Sequence, residues 1–322
     1  MFRSVYSTNI CMKSLHLKKI YLASPRGFCA GVARAVKIVD LVLKKHGPPI
    51  YVRHQIVHNQ RVVSDFERKG VIFIEDLKNI PDESIIVFSA HGSPPSLYQL
   101  AKRKKLKLYD ATCPLVTKVH LEAKRYKKEG YFIIYIGHRG HPESVGVLNE
   151  VPAQTIVLIE SLEEAKKINP PQTEKLIILT QTTLSFDDTK GIINKLQKRF
   201  PNLVLPPAFD ICYSTQNRQN AVKELAKKTK LILVVGSKKS SNSNRLRETA
   251  EKHGAQAYLI NDYTEVKEDW FKTKKTVGIT AGASTPAHLV QELISVLKSK
   301  KTQIYTLKVI KENINFPVHG NL

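Results

Sequence analysis

Residues 25–36 read "PRGFCAGVARAV", where Cys29 lies between two glycines and directly before an amphipathic helical pattern. Two later stretches repeat this arrangement, "DATCPLV" around Cys113 and "DICYSTQNRQ" around Cys212. The cysteines are separated by 84 and 99 residues, and each is followed by a helical pattern of similar length. Self-similarity at a fixed spacing is typical of repeated structural units. We therefore predict a divergent threefold repeat of about 90 residues, with one cysteine at a helix start in each unit.

Strand-like apolar runs alternate with helical patterns along the chain. Runs such as "YFIIYI" (131–136) and "LILVV" (231–235) are followed by polar connections and helices. This alternation is typical of parallel sheets with helical crossovers, and it predicts the α/β class, with three pseudo-equivalent α/β domains and small, largely parallel sheets. The predicted segments are a disordered N-terminal extension (1–17), three domains (18–113, 114–210 and 211–300) and a C-terminal tail that packs back on the body (301–322).

The composition is that of an ordinary globular chain, with 322 residues, 42% hydrophobic and 25% charged. No apolar run approaches the roughly 18 residues that a membrane-spanning helix needs, so no membrane association is expected. Four cysteines are too few for a disulfide scaffold in a chain of this length. We therefore expect a reducing, cytoplasmic location, in which any cysteine that matters is a ligand or a nucleophile.

The chain is strongly basic, with 51 Lys and Arg against 28 Asp and Glu and a formal net charge of +23. Such a charge favours anionic partners. Much of it lies in lysine-rich runs such as "KRKKLK" (102–107), which are usually solvated faces and which lack interleaved aromatic residues. Nucleic acid is therefore not the expected partner, but a basic RNA- or ribosome-associated protein with structural cysteines remains the alternative.

The cysteines at helix starts point to a shared ligand. A helix N-terminus lowers the pKa of a thiol and suits it to bind metal. One free cysteine is most often a small buried hydrophobic residue, whereas three in equivalent positions favour a common centre. Structural zinc usually takes four ligands with paired C-x-x-C spacing, which is absent here. A [4Fe–4S] cluster held by three cysteines leaves one iron free to act as a Lewis acid, as suits an enzyme, although a zinc hydrolase remains a second alternative.

Polar residues follow several predicted strands, where open α/β sheets bind their ligands. The imidazole, hydroxyl and amide groups at such positions belong to His58, His91, His141, Ser240, Ser241, Asn242 and Ser284. Individually, serine and asparagine are more often helix caps, and a histidine is more often a core or surface residue. At repeat-equivalent positions near helix starts, they together predict an anion pocket, most naturally for phosphate or diphosphate.

The segment "GHPE" places Glu143 two residues after His141, in the same predicted pocket. A carboxyl group beside a desolvated anion site tends to have a raised pKa and can deliver a proton. Thr182 in "TQTTLS" is placed to relay that proton, although a threonine before a helix is by default an N-cap. Catalytic roles are therefore expected for Glu143, Thr182 and His141.

Nine motifs, taken in order, carry a resemblance to a known family. They are "PRGFCAGV", "VHN", "SAHG", "DATCPLV", "GHRGHPE", "TQTTLS", "DICYSTQNRQ", "VVGSKKSSNSNRL" and "TAGAST". Together they resemble the 4-hydroxy-3-methylbut-2-enyl diphosphate reductases, which catalyse the last step of the non-mevalonate isoprenoid pathway. The resemblance runs from about Lys18 to the C-terminal "ENINF", which is nearly the whole chain.

The resemblance implies a trefoil of three α/β domains around one [4Fe–4S] cluster. The family's cluster ligands fall on Cys29, Cys113 and Cys212. Its diphosphate contacts fall on His58, His91, His141, Ser240, Ser241, Asn242 and Ser284. Its proton donor falls on Glu143, with Thr182 at the hydroxyl end of the substrate.

The implied reaction is the two-electron reductive dehydroxylation of (E)-4-hydroxy-3-methylbut-2-enyl diphosphate to isopentenyl diphosphate and dimethylallyl diphosphate. The resemblance also implies ferredoxin or flavodoxin as the electron donor, with a reduced nicotinamide upstream, and a monomeric enzyme. The basic surface is then expected to help dock an acidic electron carrier.

Two features depart from the family pattern. Ala33 stands where many members carry an acidic residue, and this change affects a helix-face contact but no ligand. Residues 1–19 carry Arg, Ser and Lys without a helix or strand period, and Met12 offers a second start just before the first predicted strand. An extended N-terminus is therefore expected rather than a transit peptide, and Cys11 is given no role.

Overall fold

The computed structural model describes residues 17–206 and 210–318. Cys11 and residues 1–16 of the predicted disordered extension (1–17) lie outside this part of the chain. The described residues form thirteen β-strands. In chain order they are β1 (Lys19–Ser24), β2 (Ile50–Arg53), β3 (Val71–Ile74), β4 (Ile85–Phe88), β5 (Lys107–Asp110), β6 (Phe132–Ile136), β7 (Ile156–Ile159), β8 (Leu176–Thr180), β9 (Leu203–Val204), β10 (Leu231–Val235), β11 (Gln256–Ile260), β12 (Thr276–Ala281) and β13 (Gln303–Lys308).

The same part of the chain forms ten α-helices, most of which connect consecutive strands. They are α1 (Ala30–His46), α2 (Gln60–Glu67), α3 (Pro95–Arg103), α4 (Pro114–Lys128), α5 (Pro142–Leu148), α6 (Leu162–Lys167), α7 (Phe186–Arg199), α8 (Tyr213–Lys228), α9 (Ser241–Lys252) and α10 (Ala287–Leu297). Short 3-10 helices cover Leu77–Asn79, Ala153–Thr155, Tyr263–Glu265 and Glu268–Phe271.

The strands assemble into three parallel sheets, with orders β11-β10-β12-β1-β13, β3-β2-β4-β5 and β7-β6-β8-β9. Helical connections between parallel strands are required because the chain must return to the same edge before each new strand. The predicted α/β class with small parallel sheets is therefore confirmed. The chain divides into two compact units.

One unit comprises the chain up to Phe28 together with Asn217–Glu312, and it holds the five-stranded sheet. Its first strand, β1, lies between β12 and β13, with Ile20 aligned with Val277 and Ile304. The N-terminal strand, which falls within the predicted segment 18–113, therefore belongs to a sheet built from the C-terminal part of the chain. The other predicted domain boundaries stay predictions.

The five-stranded sheet is covered on both faces by apolar side chains. Both faces of β10, "LILVV", are buried, as expected for a central parallel strand. One face packs in a cluster with α10 and the other in a cluster with α8 and α9. Leu17 is 3% exposed in the first of these clusters, and its carbonyl accepts a hydrogen bond from the Thr302 hydroxyl at 2.9 Å.

The other unit comprises Cys29–Gln216 and a C-terminal segment that begins at Asn313, and it holds both four-stranded sheets. The central strand β6 is buried along its whole length, with apolar clusters on both of its faces. The C-terminal segment is attached through Arg34, whose Nε donates to the Pro317 carbonyl at 3.1 Å. The candidate functional side chains lie in the segments that directly follow β2, β4, β6 and β8.

Candidate active site

Each of the three predicted ligand cysteines lies directly before a helix. Cys29 is the N-cap of α1, and its Sγ accepts a hydrogen bond from the Val32 N–H at 3.5 Å. Cys113 is the N-cap of α4, which begins with Pro114, a residue suited to the first helical position. Cys212 immediately precedes α8. The predicted positions at helix starts are confirmed, and Cys29, Cys113 and Cys212 are called the thiol set below.

Gly31 lies against two members of the thiol set. A Cβ atom at this position would lie 2.5 Å from the Sγ of Cys113 and 4.0 Å from the Sγ of Cys29. The first distance is far shorter than a van der Waals contact, so a larger residue would displace the Cys113 thiol. Gly31 therefore leaves the space that lets two helix starts bring their thiols close together.

Burial, reinforced by the thiols of Cys29 and Cys212, raises the pKa of Cys113 to about 12. Burial and the Cys29 thiol also raise the pKa of Cys212. Backbone amides at the helix starts bond to both sulfurs and act in the opposite direction, but they do not outweigh burial. The predicted lowering of the thiol pKa is therefore wrong for these two residues. A bound metal reverses the balance, because a coordinating thiol is deprotonated outright.

The thiol set is spaced too widely for a single metal ion. A single metal ion needs three or more Cys, His, Asp or Glu side chains whose ligand atoms lie close together. Within residues 17–206 and 210–318, only His54, His58 and His91 bring such atoms within 4.8 Å of one another. Tetrahedral zinc with Zn–S bonds of about 2.3 Å holds its thiolates about 3.8 Å apart. The three thiols do not form such a close group, so they fit one zinc ion poorly.

Backbone hydrogen bonds attach two of the cysteines to neighbouring strand ends. The Cys113 N–H donates to the carbonyl of Ala90 at 3.0 Å, and Ala90 directly precedes His91. The Cys212 N–H donates to the carbonyl of Thr182 at 2.8 Å. The thiol set is therefore continuous with the residues predicted to bind the anion and to move the proton.

Glu143 is 2% exposed, and both of its carboxylate oxygens are bonded to Thr182. The Thr182 N–H donates to Oε1 at 2.7 Å, and the Thr182 hydroxyl donates to Oε2 at 3.0 Å. Burial raises the pKa of Glu143 to about 7 even though these two bonds lower it. The N-cap of α7 is Ser185. The alternative role of Thr182 as a helix cap is therefore wrong, because its hydroxyl serves the carboxyl group.

Four histidine rings pack together beyond the ends of β2, β4 and β6. The ring centroids of His58 and His91 lie 4.1 Å apart, those of His58 and His141 lie 5.5 Å apart, and those of His54 and His58 lie 5.6 Å apart. These four residues are called the histidine set. His141 is also the N-cap of α5, and its Nδ1 accepts a hydrogen bond from the Glu143 N–H at 3.2 Å. The predicted histidines are therefore brought together next to the buried acid.

Burial keeps part of the histidine set neutral. It lowers the pKa of His91 well below its usual range and that of His141 to about 3, and neighbouring imidazoles, His58 foremost, lower both further. A neutral imidazole has one N–H to donate and one nitrogen that accepts a hydrogen bond or binds a metal. An anion beside His91 and His141 would raise the pKa of both rings, so these two residues gain donors when an anion binds.

Comparisons with known proteins identify the family of this chain. The sequence model of a family described as "LytB protein" matches residues 20–298. The chain belongs to the LytB family. Over 307 residues it is 50% identical to the 4-hydroxy-3-methylbut-2-enyl diphosphate reductase of Psychromonas ingrahamii, covering 94% of this chain and 98% of that protein. It is 49% identical over 307 residues to the enzyme of the same name from Haemophilus influenzae, with the same coverage.

Solved structures of LytB-type reductases share the fold. The chain matches the E-1-hydroxy-2-methyl-but-2-enyl-4-diphosphate reductase of Plasmodium falciparum with a TM-score of 0.89 and 40% identity, over 92% of this chain and 94% of that one. A second structure, of an (E)-4-hydroxy-3-methyl-but-2-enyl diphosphate reductase, matches with a TM-score of 0.64 and 31% identity, over 87% of this chain and 99% of that one. The predictions of this family and of an oxidoreductase are confirmed, since these relatives are reductases. In the described part of the chain, no helix combines the length and apolar character that a bilayer span requires.

The remaining predicted residues of this LytB-family chain lie in the unit with the five-stranded sheet. Ser240 is the N-cap of α9 and its Oγ accepts a hydrogen bond from the Ser243 N–H at 3.3 Å, so the cap role weighed from sequence applies to it. Ser241 and Asn242 form the first turn of α9, after β10, and Ser284 follows the neighbouring strand β12. Both amide atoms of Asn242 are buried without a hydrogen-bond partner. Such a side chain is expected to meet a polar ligand.

His54 was missed from the sequence. It lies directly after β2, its ring is 5.8 Å from that of His91, and its Nδ1 is 2.9 Å from the Glu75 carboxylate. Its other ring nitrogen, Nε2, is buried without a protein partner. The signal was its position at a strand end in "VRHQIVH", only four residues before His58.

Two buried ionic supports were also missed. The Arg218 side chain is 1% exposed; its Nη2 donates to the carbonyls of Gly27 at 2.8 Å and Phe28 at 3.2 Å, and its Nη1 lies 3.1 Å from the Glu312 carboxylate. It therefore fixes the backbone immediately before Cys29. In the other unit, Asp210 accepts the Thr180 N–H at 2.9 Å and the Lys118 ammonium at 3.0 Å, which fixes the loop before Cys212.

Proposed function

We propose that this LytB-family chain reduces (E)-4-hydroxy-3-methylbut-2-enyl diphosphate to isopentenyl diphosphate and dimethylallyl diphosphate. One observation carries the proposal: Thr182 bonds both oxygens of the buried Glu143 carboxyl group and also holds the backbone of Cys212. The proposed proton donor, Glu143, and a proposed ligand of the electron-transfer centre, Cys212, are thus both hydrogen-bonded to Thr182. A reduction that consumes protons requires this proximity.

The proposed reaction breaks the bond between the substrate's terminal carbon and its hydroxyl oxygen. Two electrons and two protons are taken up; one proton leaves with the oxygen as water, and the other is added to the allylic carbon skeleton. A [4Fe–4S] cluster would be held by the thiol set, and it would supply the electrons and Lewis-acid chemistry toward the hydroxyl group of the substrate. The packing of Gly31 against the sulfur atoms of Cys113 and Cys29 supports this assignment.

Glu143 is proposed as the proton donor. Its pKa, raised by burial to about 7, leaves a large fraction of the carboxyl group protonated near neutral pH. Thr182 orients that group through two hydrogen bonds and is proposed to contact the substrate's hydroxyl end. His141 connects the acid to the anion pocket, since its Nδ1 accepts from the Glu143 N–H.

The diphosphate is proposed to bind the imidazoles of His58, His91 and His141, of which burial favours the neutral form of the last two. Neutral rings can donate N–H groups to phosphate oxygens, and the negative charge that they then face favours their protonation. Further donors are proposed from Ser240, Ser241, Asn242 and Ser284. The buried, unpartnered amide of Asn242 supports a polar ligand at that position.

The electron donor is proposed to be ferredoxin or flavodoxin, and the enzyme is proposed to act as a monomer in the cytoplasm. The family resemblance supports this proposal, and so does the formal charge of +23, because both carriers are acidic proteins.

Anaerobic turnover of the proposed substrate with reduced methyl viologen tests the function. Wild-type enzyme is expected to form both diphosphate products. Glu143→Gln keeps the size of the side chain but has no acidic proton, so kcat is expected to fall by about 10²- to 10⁴-fold at unchanged iron content. The wild-type kcat is expected to fall as the pH rises above about 7, because the raised pKa of Glu143 marks the loss of the acid form.

The exposed carboxylate of Glu163 provides the control, since it lies on α6 and pairs only with Lys166 among the described residues. Glu163→Gln is expected to keep the wild-type rate. A wild-type protein that carries iron but releases neither product would refute the proposed reaction. A Glu143→Gln rate equal to that of the control would leave the reaction standing and remove Glu143 from it.

A further inference from the structure

An open groove of about 570 Å³ lies along the first three turns of α4. Its lining includes Arg34, Thr112, Pro114, Lys118, Leu121 and Arg125. None of these residues belongs to the thiol set or the histidine set, and none of them is Glu143 or Thr182. The groove is therefore a separate surface of the unit that holds the cysteines.

The groove reaches the immediate neighbours of one thiol. Thr112 and Pro114 flank Cys113 in the chain, and both line the groove. The guanidinium of Arg34 donates to the Thr112 carbonyl at 3.1 Å, which holds this stretch in place. A molecule seated in the groove thus contacts the chain on both sides of Cys113, only one residue from its sulfur.

The groove has an apolar centre and a cationic edge. Leu121 is 58% exposed, a large fraction for a leucine on a helix that packs into a core. Arg125 lies one turn further along α4, and its side chain is 52% exposed. Such a combination fits a protein surface better than a small ion, because exposed apolar area next to mobile charge is typical of transient protein interfaces.

The acidic groups in the lining are already engaged. Asp110 accepts hydrogen bonds from the Tyr98 hydroxyl at 2.7 Å and from the Thr112 N–H at 2.8 Å. Glu122 lies 3.4 Å from the Lys118 ammonium. The lining keeps a net positive formal charge, because Arg34, Lys118 and Arg125 outnumber its two acidic groups. Arg125 also lies 3.8 Å from the carboxylate of Glu129, which is outside the lining.

We propose that this groove is the docking site of an acidic one-electron carrier protein. The inference rests on the proposed function, which consumes two electrons in each turnover. Two reduced carriers dock in succession, each is oxidised by one electron, and the electrons enter the centre held by the thiol set beside Cys113. Arg125 and Arg34 meet carboxylates of the carrier, and Leu121 packs against its apolar surface.

Single-stranded nucleic acid would fit this groove less well. Binding of that kind relies on aromatic side chains on which bases stack, and the groove lining contains none. Complementary charge with an apolar centre is instead typical of docking between electron-transfer proteins, whose interfaces are small and short-lived.

The test compares two electron sources on the complete, cluster-loaded enzyme. A reduced [2Fe–2S] ferredoxin of acidic surface measures docking, and reduced methyl viologen measures chemistry without docking. Arg125→Glu is expected to raise the KM for ferredoxin about tenfold and to weaken its salt dependence, since a cationic contact becomes repulsive. Leu121→Gln is expected to raise it about threefold. Viologen-driven rates are expected to stay within twofold of wild type for both variants.

Lys127→Glu is the matched control, because it makes the same charge change in the same last turns of α4 but lies outside the groove lining. Its KM for ferredoxin is expected to stay within about twofold of wild type. Equal effects of Arg125→Glu and Lys127→Glu would overturn the docking site, as would a matching loss of viologen-driven rate. Absence of viologen-driven turnover in the wild type would instead refute the proposed function itself.

Discussion

The thiol set and the histidine set lie in the same compact unit but suit ligands of opposite charge. Burial raises the pKa of Cys113 and Cys212, and burial lowers the pKa of His91 and His141. Burial therefore favours the uncharged form of these four side chains. A metal centre reverses the first effect and an anion reverses the second. The comparison shows that one buried region can hold uncharged ligands for a cation beside uncharged ligands for an anion.

If the thiol set needs a metal centre to ionise, removal of one sulfur should have the largest effect. Cys113→Ser is expected to lose most of the roughly four irons per chain that a [4Fe–4S] cluster contains, and more than about 10³-fold in viologen-driven rate. Serine occupies the same place without a thiolate. Iron and acid-labile sulfide assays after anaerobic purification, together with the visible spectrum, measure the loss.

Cys11→Ser is the control for that experiment, since Cys11 lies outside the described residues and has no predicted role. It is expected to keep the brown colour and full iron content. A colourless wild-type protein without iron, even after anaerobic reconstitution, would contradict the assignment of the thiol set and favour the RNA-associated alternative.

If the histidine set needs an anion, loss of one donor should act on substrate affinity. His91→Gln is expected to raise the KM for the diphosphate substrate about 10- to 100-fold, since a hydrogen bond to a charged group contributes about 1.5–3 kcal/mol. His54 is engaged by the Glu75 carboxylate at 2.9 Å, so His54→Gln is expected to change KM less than about threefold. Steady-state kinetics with viologen measure both. Equal effects would show that His54 contacts the anion as well.

A lower pH should reduce the stability of the folded protein, because burial lowers the pKa values of His91 and His141. Groups whose pKa is lower in the folded state contribute stability above their unfolded pKa of about 6.5, and that contribution is lost as the pH falls. The charges around His91 and His141 come from His54, His58, His138 and Arg53. Unfolding temperatures are expected to fall from about pH 7 to about pH 5.5, and inorganic diphosphate is expected to offset the loss by favouring the protonated rings. A fall of equal size in His91→Gln, or no protection by diphosphate, would contradict this linkage.

Much of the site followed from local sequence signals. A cysteine before a proline or before a small-residue run predicts a helix start whatever the tertiary structure does, and Cys113 and Cys29 lie at such starts. The same is true of His141 before Pro142, which brings Glu143 into the first turn of α5. These positions depend on capping rules that act over a few residues.

The rest depended on contacts between residues far apart in the chain. The bond from Cys212 to Thr182 spans a connection that carries a helix and a strand, and no local pattern specifies it. The predicted direction of the thiol pKa shift was wrong because the sequence shows that a cysteine precedes a helix but does not show how deeply packing buries it. Burial raises the pKa of Cys113 more than the backbone amides of the helix lower it. The Arg218–Glu312 pair was missed for the same reason, since neither residue lies near Cys29 in sequence.

The position of β1 between β12 and β13 has a consequence for synthesis on the ribosome. Strand β1 must wait for partners that are translated much later, whereas Cys29–Gln216 forms most of a compact unit that is nearly continuous in the chain. Domains generally fold as units during translation, and contacts between distant residues form late. We therefore expect the unit that carries all three thiols to fold first, and the loop before Cys29 to be fixed by Arg218 and Glu312 only after both of these residues have been translated.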